Sequence, residues 1–108
     1  MTQLADYPDA IAAAEVAVLE AKENYLALVE KVEQQRAEFK AMVAQRFPPR
    51  TGNDRDRDSY LSELENSDPD YQKRRAAMGE QEQGLELARI EVRRLERCYE
   101  VALVVAKG

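Results

Sequence analysis

Apolar side chains recur at every seventh position along two long stretches of the chain, and this repeat limits the fold more than any other feature. In the first stretch, heptad positions a and d hold Leu4, Tyr7, Ile11, Ala14, Val18, Ala21, Tyr25, Leu28, Val32, Gln35, Phe39, Met42 and Arg46. In the second, they hold Tyr71, Arg74, Met78, Gln81, Leu85, Ala88, Val92, Leu95, Tyr99, Ala102 and Ala106. A heptad repeat of this length predicts two amphipathic helices that pack along one seam, as in a coiled coil.

Prolines mark where the two predicted helices begin and end. The first helix spans about 8–47, and Pro48–Pro49 ends it because proline lacks a backbone N–H and constrains the residue before it. The second spans about 69–107, with Asp68 as the N-cap and Pro69 in the first helical position. The chain therefore consists of two long helices joined by one connection.

The connection, residues 48–67, is strongly charged but carries a short apolar pattern of its own. Tyr60, Leu61 and Leu64 lie at helical spacing, which predicts a two-turn helix. Since the chain turns only once, we predict a single all-α domain over 1–108. Its architecture is a long antiparallel two-helix coiled-coil hairpin with this short helix at the tip.

Two glutamines at d positions suggest how the long helices align. If Gln35 faces Gln81, the two polar side chains satisfy each other within an otherwise apolar seam, and Phe39 then faces Met78. A buried polar group is costly unless it is matched, so we expect this register.

Several large apolar residues fall outside the seam, on the outer faces of both helices. They are Leu19, Leu26, Leu87, Ile90, Val101 and Val104. A hairpin buries one stripe of each helix, so a cluster outside that stripe needs another cover, although single apolar residues are common on protein surfaces. We expect the cluster to be an interaction surface, most simply in a homodimer that forms a four-helix bundle.

The composition argues against an enzyme or a cofactor-binding protein. Histidine, the commonest general base and metal ligand, is absent, and Cys98 is the one cysteine, so neither an intrachain disulfide nor a zinc site is expected. A net charge of −5 disfavours binding to nucleic-acid phosphates. The longest apolar run, 101–106, is too short to span a bilayer. We therefore expect a cytoplasmic protein with no catalytic residues, no cofactor and no membrane contact.

Four acids in the connection match part of a calcium-binding pattern. Asp54, Asp56, Asp58 and Glu65 occupy positions 1, 3, 5 and 12 of an EF-hand-like loop, in which oxygen ligands wrap one Ca²⁺. However, Ser59 stands where a glycine normally makes the sharp turn. A solvated run of alternating charges explains the same residues, and we expect any calcium affinity to be millimolar or weaker.

Arginines repeat every four residues in the second helix, at Arg89, Arg93 and Arg97. This stripe could contact nucleic acid or an acidic partner. It could equally pair along the helix with the glutamates between the arginines, and the alternation of charges favours that interpretation.

These features favour a non-enzymatic protein-interaction module that self-associates and binds a further protein through its apolar outer faces or its charged tip. An alternative is a small acidic inhibitor or nucleic-acid mimic from a mobile element, whose surface carboxylates imitate a row of phosphates. A weaker alternative is a calcium-responsive tip loop.

Overall fold

The protein is helical almost throughout. The computed structural model describes residues 3–48 and 54–108, and no strand occurs in these ranges. The elements, in chain order, are a 3₁₀ turn at Leu4–Asp6, helix α1 at Tyr7–Arg46, helix α2 at Asp54–Ser67 and helix α3 at Pro69–Lys107. The predicted all-α fold, with two long helices and a shorter one between them, is confirmed.

Helix α3 begins at the predicted cap. The Asp68 side chain accepts a hydrogen bond at Oδ1 from the backbone N–H of Tyr71, at 2.9 Å. The Asp68 carbonyl accepts from Gln72 N–H at 3.1 Å, which is the first bond of the helical ladder. This arrangement satisfies amide groups that a helix start otherwise leaves without partners, and Pro69 contributes none.

Contacts divide the chain into two units. The terminal unit combines Met1–Tyr25 with Glu80–Gly108, and the central unit is Leu26–Gly79. In each unit, a segment of α1 runs antiparallel to a segment of α3, as a helical hairpin requires. At the N-terminal end of α1, for example, Tyr7 packs on Tyr99 near the C-terminal end of α3, with ring centroids 5.7 Å apart.

The central unit holds the main apolar cluster. Val32 and Phe39 from α1 pack with Tyr71 from α3, whose side chain is 2% exposed. The Phe39 and Tyr71 rings meet edge to face at 5.2 Å. Leu61 and Leu64 of α2 and Met78 of α3 pack against this cluster. The short helix therefore covers the core with two of the residues whose spacing predicted it.

The predicted register is wrong by one heptad. Gln35 contacts Arg74 rather than Gln81, which is exposed. Phe39 likewise packs on Tyr71 rather than directly opposite Met78. Helix α3 has polar residues at two successive d positions, Arg74 and Gln81. The expectation that the polar Gln35 faces a polar d residue is satisfied by either one, so it does not determine the register.

The buried stripe of α1 also drifts away from the strict heptad near the end of the helix. Met42, at a d position, is 45% exposed, whereas the next residue, Val43, is 8% exposed. An α-helix has 3.6 residues per turn, so a straight helix drifts by about 20° per heptad relative to a seven-residue repeat. After five heptads, the inward-facing position has moved from d to e.

Helix α2 is longer than the predicted two-turn helix, at 14 residues. It packs on the end of α1 through Phe47 and Tyr60, whose rings meet edge to face at 5.9 Å. The Arg46 guanidinium lies over the Tyr60 ring at 4.6 Å. Arg57 donates a hydrogen bond to the carbonyl of Pro48 at 2.5 Å. These contacts hold the start of α2 against the end of α1 within the central unit.

Candidate interaction surface

All six residues of the predicted interaction surface are exposed in the isolated chain, from 48% for Ile90 to 71% for Val104. Leu26 lies in the central unit and the other five lie in the terminal unit. Two further aliphatic residues of the terminal unit, Val16 and Val105, are 52% and 73% exposed. Both belong to the apolar outer faces that the sequence predicts, and Val16 lies one turn before Leu19 on the same helix.

The terminal unit exposes more large aliphatic side chains than it buries. Among its described residues, Leu85 and Leu95 are the buried apolar ones, at 5% and 9% exposure. The exposed ones are Leu4, Val16, Leu19, Leu87, Ile90, Val101, Val104 and Val105. Burial of an aliphatic side chain stabilises the folded state by about 1.5–3 kcal/mol. The single chain therefore lacks the stabilisation that burial of these exposed residues would add.

The exposed residues of α3 form one stripe along the helix. Leu87, Ile90, Val101 and Val104 recur at intervals that place them on a single face. The middle of this face is charged, because Arg94 and Arg97 lie between the two aliphatic pairs. The stripe therefore offers apolar contacts at both ends and positive charge at its centre.

The two arginines of this face differ in their partners. Arg94 donates two hydrogen bonds to Glu91, at 2.9 Å from Nε and 2.6 Å from Nη2. These bonds lower the pKa of Glu91 and raise the pKa of Arg94. Arg97 is exposed and forms no ion pair with any residue in the described ranges.

The remaining arginines of α3 in this unit both pair with one glutamate along the helix, as the alternation of charges predicts. Glu86 lies 3.9 Å from Arg89 and 3.1 Å from Arg93. These pairs flank a shallow groove where Leu19 and Val18 of α1 meet Val92 of α3; its full lining is Glu15, Val18, Leu19, Arg89, Val92, Arg93 and Glu96. Leu19 thus lies at the edge of a partly charged groove rather than in a purely apolar patch.

The calcium-loop interpretation of the tip is wrong in its geometry. Asp54, Asp56 and Asp58 lie within α2 and not in a loop, so Asp56 points away from the other two. Glu65 instead lies 3.3 Å from Arg36, on the side of α2 that faces α1. Among residues 3–48 and 54–108, no group of three acidic or cysteine side chains is placed to hold a metal ion.

Within the same ranges, no helix is both long and apolar enough to cross a bilayer. Cys98 is half-buried on α3 and is not in a disulfide.

No family model matches the sequence, and no curated protein and no solved structure matches it. The exposed faces of the hairpin therefore supply the basis for a functional interpretation.

Proposed function

We propose that the protein is a non-enzymatic interaction module that self-associates and binds a further protein through its apolar outer faces or its charged tip. The observation that carries the proposal is the imbalance in the terminal unit, where exposed aliphatic residues outnumber buried ones. Exposed apolar residues that cluster on one helix face mark interaction sites more often than scattered ones do. Two hairpins packed through these faces would form a four-helix bundle.

The accessible area supports a partner of substantial size. The chain exposes 8274 Å². A compact monomer of 12.3 kDa is expected to expose about 6,100 Å², so the excess is about 2,200 Å². Obligate homodimers bury about 1,000–2,500 Å² per subunit, and the excess lies within that range. A second copy that buried this excess would use an interface of the size that obligate homodimers have.

The single cysteine is consistent with a reducing compartment, so the proposal places the protein in the cytoplasm.

The alternative of a nucleic-acid mimic receives less support. A mimic presents its carboxylates without interleaved positive charge, whereas the acids of α3 alternate with arginines, and Glu86 and Glu91 are paired with them.

Light scattering of the purified chain across the micromolar range tests the proposal. We expect a mass of two or more copies, and we expect Val101→Ser with Val104→Ser to shift the equilibrium toward monomer. Met42→Ser is the matched control, because Met42 is an exposed apolar residue outside the proposed surface. A monomer at every concentration, with helicity intact, would contradict self-association.

A further inference from the structure

The exposed face of α3 carries a regular pattern of chemistry. Ile90, Arg94, Arg97 and Val101 follow one another at spacings of four, three and four residues, which keeps all four on one helix face. All four are exposed. We call this set the arginine stripe. It presents an apolar group, two positive charges and a second apolar group in succession.

The outer face of α1 in the same unit carries the opposite charge at the same spacing. Val16, Glu20 and Glu23 follow one another at spacings of four and three residues, and all three are exposed. We call this set the acidic stripe. Neither glutamate forms an ion pair with any residue that the structure describes. By contrast, Arg36 pairs with Glu65, and Arg89, Arg93 and Arg94 of α3 pair with glutamates of their own helix. The two like charges lie three residues apart on one face and repel each other in the isolated chain.

We propose that a second copy of this chain places its acidic stripe on the arginine stripe, so that α1 of one copy packs along α3 of the other. The identical spacing lets two carboxylates reach two guanidinium groups while Val16 meets an aliphatic residue at the end of the arginine stripe. This inference rests on the proposed self-association and specifies which faces make the contact. Arginine and carboxylate side chains pair well because the guanidinium offers several donors to the carboxylate oxygens.

The same charges disfavour the other pairings of faces between two copies. If α3 packed antiparallel on its counterpart through this face, Arg94 and Arg97 would meet the same arginines of the other copy. If the acidic stripes met, Glu20 and Glu23 would face carboxylates. Like charges in contact across an interface oppose association, so these stripes favour the unlike contact. If both copies make this contact reciprocally, the result is a two-fold dimer; if each pair makes it once, copies add head to tail into a ring or an open chain, and the measured mass distinguishes the two.

Charge reversal and mixing test the contact. We expect Glu20→Arg with Glu23→Arg, and separately Arg94→Glu with Arg97→Glu, each to weaken self-association about tenfold or more. An equimolar mixture of the two variants restores the opposite charges across the contact, so it should associate about as tightly as the parent. Sedimentation velocity measures the affinity, and native mass spectrometry identifies mixed species. Glu30→Arg with Glu33→Arg is the control, since these exposed α1 acids have the same spacing but lie in the central unit.

Folding and contact failures are separable. Arg97→Glu alone removes no ion pair among residues 3–48 and 54–108, so this variant keeps the test valid if Arg94→Glu disrupts α3. Circular dichroism checks helicity for each variant. If the parent and every variant associate equally, the stripe contact is overturned while self-association stands. If the parent remains monomeric throughout, both proposals are overturned.

Discussion

Gln35 and Arg74 lie opposite each other on α1 and α3, with the arginine Nη1 2.8 Å from the glutamine Oε1. The other end of the same amide, Nε2, donates to Asp68 Oδ2 at 3.3 Å. Gln35 therefore bonds both to Arg74, on the face of α3 that packs against α1, and to Asp68, the residue that caps α3. This polar layer, rather than a pair of glutamines, sets the alignment of the two helices in the central unit.

Replacing both Gln35 and Arg74 with leucine should lower the thermal midpoint of unfolding by several degrees, because it removes the bond between them and the bond to Asp68, while the exposed site of Arg74 gains little from an apolar side chain. The same change should loosen the choice of register. Differential scanning calorimetry measures the midpoint. Gln81→Leu is the control and should change it little, since Gln81 is exposed. A higher midpoint for the double variant would contradict this account of the layer.

Asp68→Ala should destabilise the folded state by about 0.5–2 kcal/mol through loss of the cap, with a further loss from the bond to Gln35. Asp68→Asn separates the two effects. An asparagine oxygen still caps Tyr71 N–H, whereas its amide nitrogen cannot accept the bond from Gln35. We therefore expect an intermediate stability in urea unfolding. Equal losses for the two variants would mean that the cap contributes nothing.

Tyr60→Ala should loosen α2 at a cost of about 1–2 kcal/mol, because it removes both the ring contact with Phe47 and the surface beneath Arg46. Tyr60→Phe keeps both contacts and should be nearly neutral. Amide hydrogen exchange within Asp54–Ser67 reports the loosening directly. Unchanged protection of α2 in Tyr60→Ala would show that the helix is held by other contacts.

Calcium should not bind the tip with micromolar affinity, because a helical backbone cannot wrap the oxygens of Asp54, Asp56 and Asp58 around one ion. Calorimetric titration into chelator-treated protein tests this. Glu65→Gln should instead weaken the pair with Arg36, with an effect of at most about 1 kcal/mol on stability, since Arg36 is largely exposed. Saturable one-to-one binding abolished by Glu65→Gln would contradict the prediction.

The pKa of Glu91 should rise toward its ordinary value when Arg94 is replaced by glutamine. Arg94 lowers the pKa of Glu91 through hydrogen bonds and charge, so the pair stabilises the fold above the unfolded-state pKa. That contribution is lost as pH falls through the lower, folded-state pKa. Carboxyl carbon NMR measures the titration. Arg97→Gln is the control and should leave the pKa of Glu91 in place.

The sequence predicts the helices well because their signals are local. The heptad repeat, the prolines and the Asp68 cap act within a few residues, so they locate α1 and α3 closely. Register depends on which of several similar polar residues meet across the seam, and Arg74 and Gln81 were equivalent by pattern. Only the contacts of Gln35 distinguish them.

The start of α2 was missed for a related reason. Asp54 to Asp58 alternate in charge without apolar periodicity, which is typical of a loop. Their helicity rests on contacts with the end of α1, such as the bond from Arg57 to the Pro48 carbonyl. On the outer faces, the pattern identified exposed aliphatic residues. It did not reveal that Arg94 pairs with Glu91 whereas Arg97 pairs with no residue in the described part of the chain, because spacing alone does not determine side-chain pairing.

One carboxylate oxygen of Asp68 accepts a hydrogen bond from the first turn of α3, and the other accepts one from Gln35 of α1. These two bonds fix the register of the long helices relative to the start of α3. The number of residues before Asp68 then does not determine which residues of the two long helices face each other. Natural variants that gain or lose residues before α2 should keep the same facing pairs. An insertion between Asp68 and Arg74 would carry every later residue of α3 onto a different face and should be far less tolerated.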